Sequence, residues 1–308
     1  TIGETSDGRP IVLSSHALDA VDWLIPINRI KQHTSFRGAL ESGICKITAI
    51  GLGGRPGASA AHQLGPDGIA RYVEEGAELA FSRLRVPFAL GIIEGPSGET
   101  ADVVALEPDG LIEHEKRCLD RARQLHPALP FDDLDVLLVD EMGKDISGTG
   151  LDTHVIGRWG IGGLPPMERP RIARIGVLSL SPASRGNANG IGMVDAVSDR
   201  LVEAIDYADL RVNTLATTFL ERGRTPLRFP TDGAVIEACL VGARIPPERE
   251  PRLLRVRSTK HLDRFYVSEG LASEVQRAGL ALVEPFAAIR MREDGRLVST
   301  FDDQERRR

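Results

Sequence analysis

The feature that most constrains this chain is an alternation along its length. Short apolar runs of strand length are followed by stretches whose apolar residues recur at a helical period. Parallel strands need a crossover of a dozen or more residues, usually a helix, so this pattern predicts an α/β fold with mainly parallel sheets. Strands are expected near residues 11–13, 20–27, 44–50, 88–93, 102–106, 135–139, 175–180, 212–217 and 253–256. The run 44–50 is read as a strand because β-branched residues dominate it and the glycine cluster GLGGRPG follows. Helices are expected over 68–84, 111–125, 192–205 and 233–241, with a short helical turn beginning at 59–62. In the first of these, Ile69, Tyr72, Val73, Ala77, Ala80 and Phe81 share one face, and Asp67 is placed to cap it. Near the end, residues 287–291 and 297–300 flank EDGR as a hairpin.

At 308 residues the chain exceeds one ordinary compact domain. The proline-bearing, aperiodic stretch 126–133 is the natural place to divide it. Residues 1–127 are thus expected to form one α/β domain. Residues 128–308 form a second that closes a cleft against it, with the last strands candidates to return to the first. The net charge of −6 comes with scattered Lys and Arg, which gives no footprint for a nucleic-acid backbone. No apolar run reaches bilayer length, so no membrane partner is expected and the cytoplasm is the expected setting. Cys45, Cys118 and Cys239 are odd in number and far apart, which predicts three buried thiols rather than disulfides or a zinc site.

Chemically capable residues are densest between Asn28 and His62. His33 is expected to follow a strand, Lys46 to lie within the next one, and His62 to sit at a helix start beyond a glycine loop. Groups at carboxyl ends of parallel strands converge on one crevice, so all three could meet one ligand. Two readings of Lys46 stand on the residues alone: an edge-strand amine reaching solvent, or a partly desolvated amine suited to a covalent cofactor link. His62 reads either as a packed side chain or as a nickel ligand. His33 could bond a backbone carbonyl. Flanked by Arg29, Lys31 and Arg37, it could equally be kept neutral by like charge and take a proton.

The order His33, Lys46, His62, the last two separated by 62 − 46 = 16 positions, resembles the catalytic segment of the nickel-dependent lactate racemase family. Residues 43–57 are most similar to a separate homologue branch of that family. The resemblance continues through VDEMGKDISGTGLDTHVIGR, GNANGIG and TKHLDRFYVSEGL. It implies an isomerase, a racemase or epimerase of a lactate-like 2-hydroxy acid. The implied reaction is reversible hydride transfer to a lysine-tethered nickel pincer nucleotide, a pyridinium mononucleotide bearing thioamide and thiocarboxylate groups. By the same resemblance His33 is the acid/base residue, Lys46 carries the cofactor and His62 binds the nickel. A second acid/base His and the groups that grip the substrate carboxylate belong, in the family, to a region before the one that begins at Thr1. The chain is therefore expected to be a piece lacking its N-terminal portion and catalytically incomplete by itself. The residue before His33 is Gln32, where the family usually has proline.

In the second half, GKDISGTGLDT follows an expected strand. Lys144, Asp145, Ser147 and Thr149 there could face an anionic cofactor, or the loop could be a plain surface connection. The family places this loop against cofactor and substrate. SPASRGNANGIG has its glycines spaced G-x-x-x-G-x-G, not the dinucleotide spacing. Two other classes stay open beside the racemase: a cofactor-free module that binds a small anion, and a nicotinamide-dependent α/β oxidoreductase.

Overall fold

The computed structural model describes residues 1–298 and Phe301. Its contacts group the chain into two units, Thr1–Pro127 with Ala216–Thr218, and Ala128–Leu215 with the chain from Phe219 onward.

The first unit opens with an antiparallel ribbon of β1 (Gly3–Glu4) and β2 (Pro10–Ile11), then α1 (Ser15–Asp19), capped by the Ser14 side chain. A three-stranded sheet follows, in which β3 (Ile27–Arg29) pairs parallel with β4 (Ala89–Glu94), and β4 pairs antiparallel with β5 (Thr100–Leu106). Between β3 and β4 lie α2 (Ile44–Ala49), α3 (Gly54–His62) and α4 (Gly65–Phe81); α5 (Leu111–Leu125) follows β5. The predicted helical face of α4 is buried at Ile69, Tyr72, Val73, Ala77 and Ala80, where it shares a core with α2, α5 and the sheet.

The second unit is built on a six-stranded sheet in the order β11-β10-β6-β7-β8-β9. Its elements are β6 (Asp133–Met142), α6 (Thr153–Ile156), β7 (Arg171–Leu180), β8 (Ala196–Ser198), α7 (Asp199–Glu203), α8 (Tyr207–Thr217), β9 (Leu227–Phe229), α9 (Asp232–Ala243), β10 (Leu253–Ser258), β11 (His261–Val267) and α10 (Ala272–Arg277). All neighbouring pairs are parallel except β10 with β11. Leu137 and Val139 of β6 enter one core, Val136 and Leu138 the other, so both sheet faces are covered. That explains the continuous apolar run in the sequence. Cys45, Cys118 and Cys239 are buried free thiols, as expected.

Several expectations need correction. Residues 20–26 form no strand, and Val21, Trp23 and Ile25 are 47%, 65% and 44% exposed, so apolar content there did not mean burial. Residues 44–50 form helix α2 instead of a strand. Ile44, Cys45, Thr48 and Ala49 fall on one buried helical stripe, and tertiary packing overrides their β propensity. The glycine cluster after it is also helical, so His62 ends α3 rather than starting a helix. Residues 212–217 belong to α8, not to a strand. The expected helix 192–205 divides into a 3-10 turn, β8 and α7. At the C-terminal hairpin, Met291 bridges Leu297 antiparallel, and residues 299–300 lie outside the described residues.

The local reason for α2 is Glu115 on α5. Its side chain is 1% exposed, and Oε2 accepts the Cys45 N–H at 2.8 Å, satisfying a donor that the helix start leaves over. Gly43 makes room for it: a Cβ there would lie 1.8 Å from Glu115 Oε1. Gly43→Ala is accordingly expected to cost about 1–3 kcal/mol, the usual range for overpacking. Urea denaturation followed by circular dichroism measures this, and an unchanged midpoint would show that Glu115 does not fill that space.

Candidate functional site

Lys46 lies on the side of α2 away from its buried stripe and is half-buried. Desolvation lowers its pKa below that of an ordinary lysine, and among the described residues it forms no ion pair. A lysine shielded from water without a carboxylate partner is biased toward its neutral, nucleophilic form. At the end of α3, His62 Nδ1 is buried with no hydrogen-bond partner. Its pKa is lowered first by desolvation and then by the charge on Lys46, so the two side chains share one electrostatic neighbourhood. Below its ordinary pKa of 6.5, a depressed imidazole stays neutral further into the acid range and keeps a lone pair to offer. Thr48 Oγ1, on the buried stripe of α2, is a second orphaned polar atom.

His33 lies on the loop between β3 and α2, whose base is fixed by the Lys31–Ser42 bridge and by Asn28 Nδ2 donating to Gly43 O at 2.9 Å. Its backbone N–H donates to Glu41 Oε2 at 2.5 Å, and its ring lies 4.3 Å from that of Phe36. Glu41 is fully buried and also accepts from Arg123 at 2.7 Å. This carboxylate therefore holds the His33 loop. Nothing in the sequence singled it out, since neither its burial nor its partner on α5 has a local signature. The cations expected to act on His33 are themselves engaged, Arg29 and Lys31 by Glu94 and Arg37 by Gln32 and Glu41. Nδ1 of His33 accepts from Ser35 N–H at 3.1 Å, so the neutral ring carries its proton on Nε2. Acting as a base would require release of Ser35 and a change of tautomer, which is a departure from the ready-made base expected from sequence.

The loop with Lys144, Asp145, Ser147 and Thr149 leaves the carboxyl end of β6. The chain runs from β6 outward to β9 on one side and returns to place β10 on the other, so the boundary between β6 and β10 is a topological switch point. Ligands of open α/β sheets bind at such points. The loop is strongly self-bonded. Ile146 and Ser147 N–H donate to Gly143 O, Lys144 N–H donates to Ser184 Oγ at 2.7 Å, and Ser184 Oγ donates to Asp145 at 3.0 Å. Thr149 Oγ1 turns back to Leu151 O at 2.7 Å, and Lys144 Nζ donates to Gly148 O at 2.8 Å. Desolvation and the nearby Arg222 lower the pKa of Lys144. Arg222 was missed by sequence reading. It is 1% exposed, stacks on Phe219 and donates to Trp159 O through Nε and Nη2 at 3.1 and 2.8 Å. Burial brings its pKa down to about 10. Gly190 seats the neighbouring GNANGIG segment against the loop, with positive φ and Thr149 O only 1.9 Å from where a Cβ would be. That segment enters a 3-10 turn and β8, so it offers no dinucleotide-type helix start.

Among the described residues no three His, Cys, Asp or Glu side chains gather as a metal site, and no helix is long and apolar enough to cross a membrane. In comparisons with known proteins, no family model and no curated protein matched the chain.

Coupling between Lys46 and His62 is directly measurable. In Lys46→Met the imidazole of His62 should titrate at a higher pH than in the wild type, because a like charge is gone while burial remains. NMR titration of the ring Cε1–H measures it, and an identical midpoint in both proteins would separate the two side chains.

Proposed function

We propose that the chain is the cofactor-bearing part of a racemase or epimerase of a small, lactate-like 2-hydroxy acid, using a nickel pincer nucleotide tethered to Lys46. The observation that carries this reading is a desolvated amine without a carboxylate partner, electrostatically coupled to an imidazole whose buried nitrogen has no partner. A structural pair would ordinarily be satisfied. These two are suited instead to a covalent bond and a metal bond, both of which require the unprotonated form.

The residues present fit the group. Lys46 would hold it, and His62 would bind its metal through a free ring nitrogen, with the other donors drawn from the bound group. When bound, such a group supplies a reversible acceptor for the hydride on C2 of the substrate. The protein's own residues have the remaining tasks. Partial burial of Lys46 and His62 limits their contact with water. Nε2–H of His33 hydrogen-bonds the substrate hydroxyl oxygen, and exchange of its tautomer, at a cost of about 1 kcal/mol for the Ser35 bond, lets it accept the hydroxyl proton. Glu41 keeps the His33 loop in place throughout. Within the second unit, Lys144 offers a cation to a small anion at the switch point, with Asp145, Ser147 and Thr149 shaping its loop. Three unpaired thiols suit a reducing compartment, so the cytoplasm belongs to the same proposal.

Co-expression with the enzymes that make the cofactor, followed by intact mass and peptide mapping, tests the assignment. The expected result is one adduct on Lys46, absent in Lys46→Ala. His62→Ala should keep the adduct and lose nickel affinity by about 10-fold or more, the scale seen when a metal site is weakened. A wild-type chain that emerges unmodified, or that binds a soluble nicotinamide cofactor in its place, would overturn the proposal.

A further inference from the structure

The three-stranded sheet of the first unit has two faces, and both are apolar. Along one row Ala89 pairs with Leu106 and Ile93 with Asp102, and Ala89, Ile93 and Leu106 turn into the core shared with α2, α4 and α5. In the alternate row Leu90 lies between Ile27 and Ala105, and Ile92 between Arg29 and Val103. A small sheet that faces water on one side ordinarily carries polar residues there. Here Ile27 and Val103 are 55% and 56% exposed, and Phe88, two residues before Leu90, is open as well. Leu90 N–H donates to Pro26 O, so the ladder reaches back into the segment that holds the exposed Ile25 and Trp23. Together these side chains leave roughly 600 Å² of apolar surface open, the upper end of what monomers carry. With a charged rim added, that approaches the ~800 Å² per partner of a stable complex.

The rim is charged with opposite signs at opposite corners. Past Ile27 on β3, Arg29 and Lys31 share a single carboxylate, Glu94, at 3.2 and 3.5 Å. One acid between two cations leaves that corner net positive, and the Arg29 side chain stays 60% exposed. Diagonally across, Glu107 continues the row of Val103 and Ala105 just beyond β5. It is exposed and, among the described residues, takes part in no ion pair. A two-fold axis lying in the face, across the line that joins these corners, exchanges them. Two copies laid face to face about that axis set Arg29 of each over Glu107 of the other, with the apolar rows between.

We propose that this face is a homodimer interface, in which two copies pack their sheets over Ile27, Leu90, Ile92 and Val103 and pair Arg29 with Glu107 across the two-fold. A second copy fits because the face carries its own charge complement. A partner charged with one sign would leave one of the two corners against its like, which is unfavourable. The interface concerns the first unit alone and does not depend on the cofactor reading.

Sedimentation equilibrium of the full chain across the micromolar range tests it, and a reversible monomer–dimer equilibrium is the expected result. Ile27→Asp and Val103→Asp, each at an exposed position, should raise the dissociation constant at least tenfold with an unchanged circular dichroism spectrum. Leu220→Asp, at an exposed apolar residue of the second unit, should leave it as it was. Arg29→Glu and Glu107→Arg should each weaken self-association severalfold. An equimolar mixture of those two variants should associate more tightly than either alone, because a mixed dimer restores both pairs. A chain that stays monomeric, a dimer that survives both aspartate substitutions or is lost equally in Leu220→Asp, or a mixture no tighter than its components would each overturn the interface.

Discussion

The candidate site depends on a carboxylate buried where carboxylates rarely go. Removing Glu115 from water is expensive unless donors replace the lost hydration, and burial does raise its pKa. The donors come from the first turn of α2, the backbone of Ile44 and Cys45, together with the Cys45 thiol. Glu115 thus needs a helix to begin at residue 44, and the helix needs Glu115, because Gly43 has no side chain with which to cap it. That mutual requirement fixes which residues of ICKITA turn inward, and so leaves Lys46 on the remaining side, shielded but not paired. Glu41 does the corresponding work for the preceding loop, joining Arg123 of α5 to the backbone of His33. Two buried acids, one contributed by α5 and one fastened to it, frame the segment from His33 to Lys46.

What could be read in advance follows from this. Where an element's own pattern decided its structure, sequence reasoning succeeded. The periodic faces of α4 and α5 and the unbroken apolar runs of β6 and β7 are self-announcing, because each buries itself by its own period. Where a distant residue decided, the same reasoning failed. ICKITAI has the composition of a strand, and only a carboxylate 70 positions away makes it a helix. VDWLIPI looked like a core strand, but Val21, Trp23 and Ile25 lie open and only Ile27 at its end enters β3. Lys46 and His62 were recognisable as candidates from order and spacing. Their relation was not, since it is set by two consecutive helices rather than by the expected strand and loop. Glu41, Glu115 and Arg222 were invisible for a plainer reason, that buried charge is the exception and its partners are remote in sequence.

In the second unit, topology assigns different roles to the two edges of one sheet. Reversal of strand order between β6 and β10 separates the loops at their carboxyl ends, and the Lys144 loop leaves β6 there and is tied to Ser184 beyond β7. The loop spends most of its polar groups on itself and on Ser184, which makes it a preformed rim rather than an open cradle. A ligand there would meet the charge of Lys144 more than a set of waiting backbone donors. At the amino edge each arginine already has an acid partner, Arg171 with Asp133, Arg249 with Asp135, Arg158 with Asp195 and Arg252 with Glu274.

The contrast between satisfied and unsatisfied buried groups separates scaffold from site more sharply than residue type does. Arg255 is buried, yet it forms a two-pronged pair with Asp140 at 2.7 and 2.6 Å and lies over the rings of both Tyr266 and Phe301. Arg222 is likewise fully engaged. Either could be mistaken for a functional cation on charge and burial alone, but every favourable contact they make is already internal, so a ligand would have to compete with the fold. Lys46 and His62 are the opposite case. The orphaned ring nitrogen of His62 weakens the folded state, by about 1–3 kcal/mol for an unsatisfied buried group, and partial burial opposes the charge on Lys46. Folds keep such local inconsistencies where function requires them. It is the lack of internal partners at these two positions, in a unit that otherwise pairs its buried acids carefully, that makes them the place to look for bound chemistry.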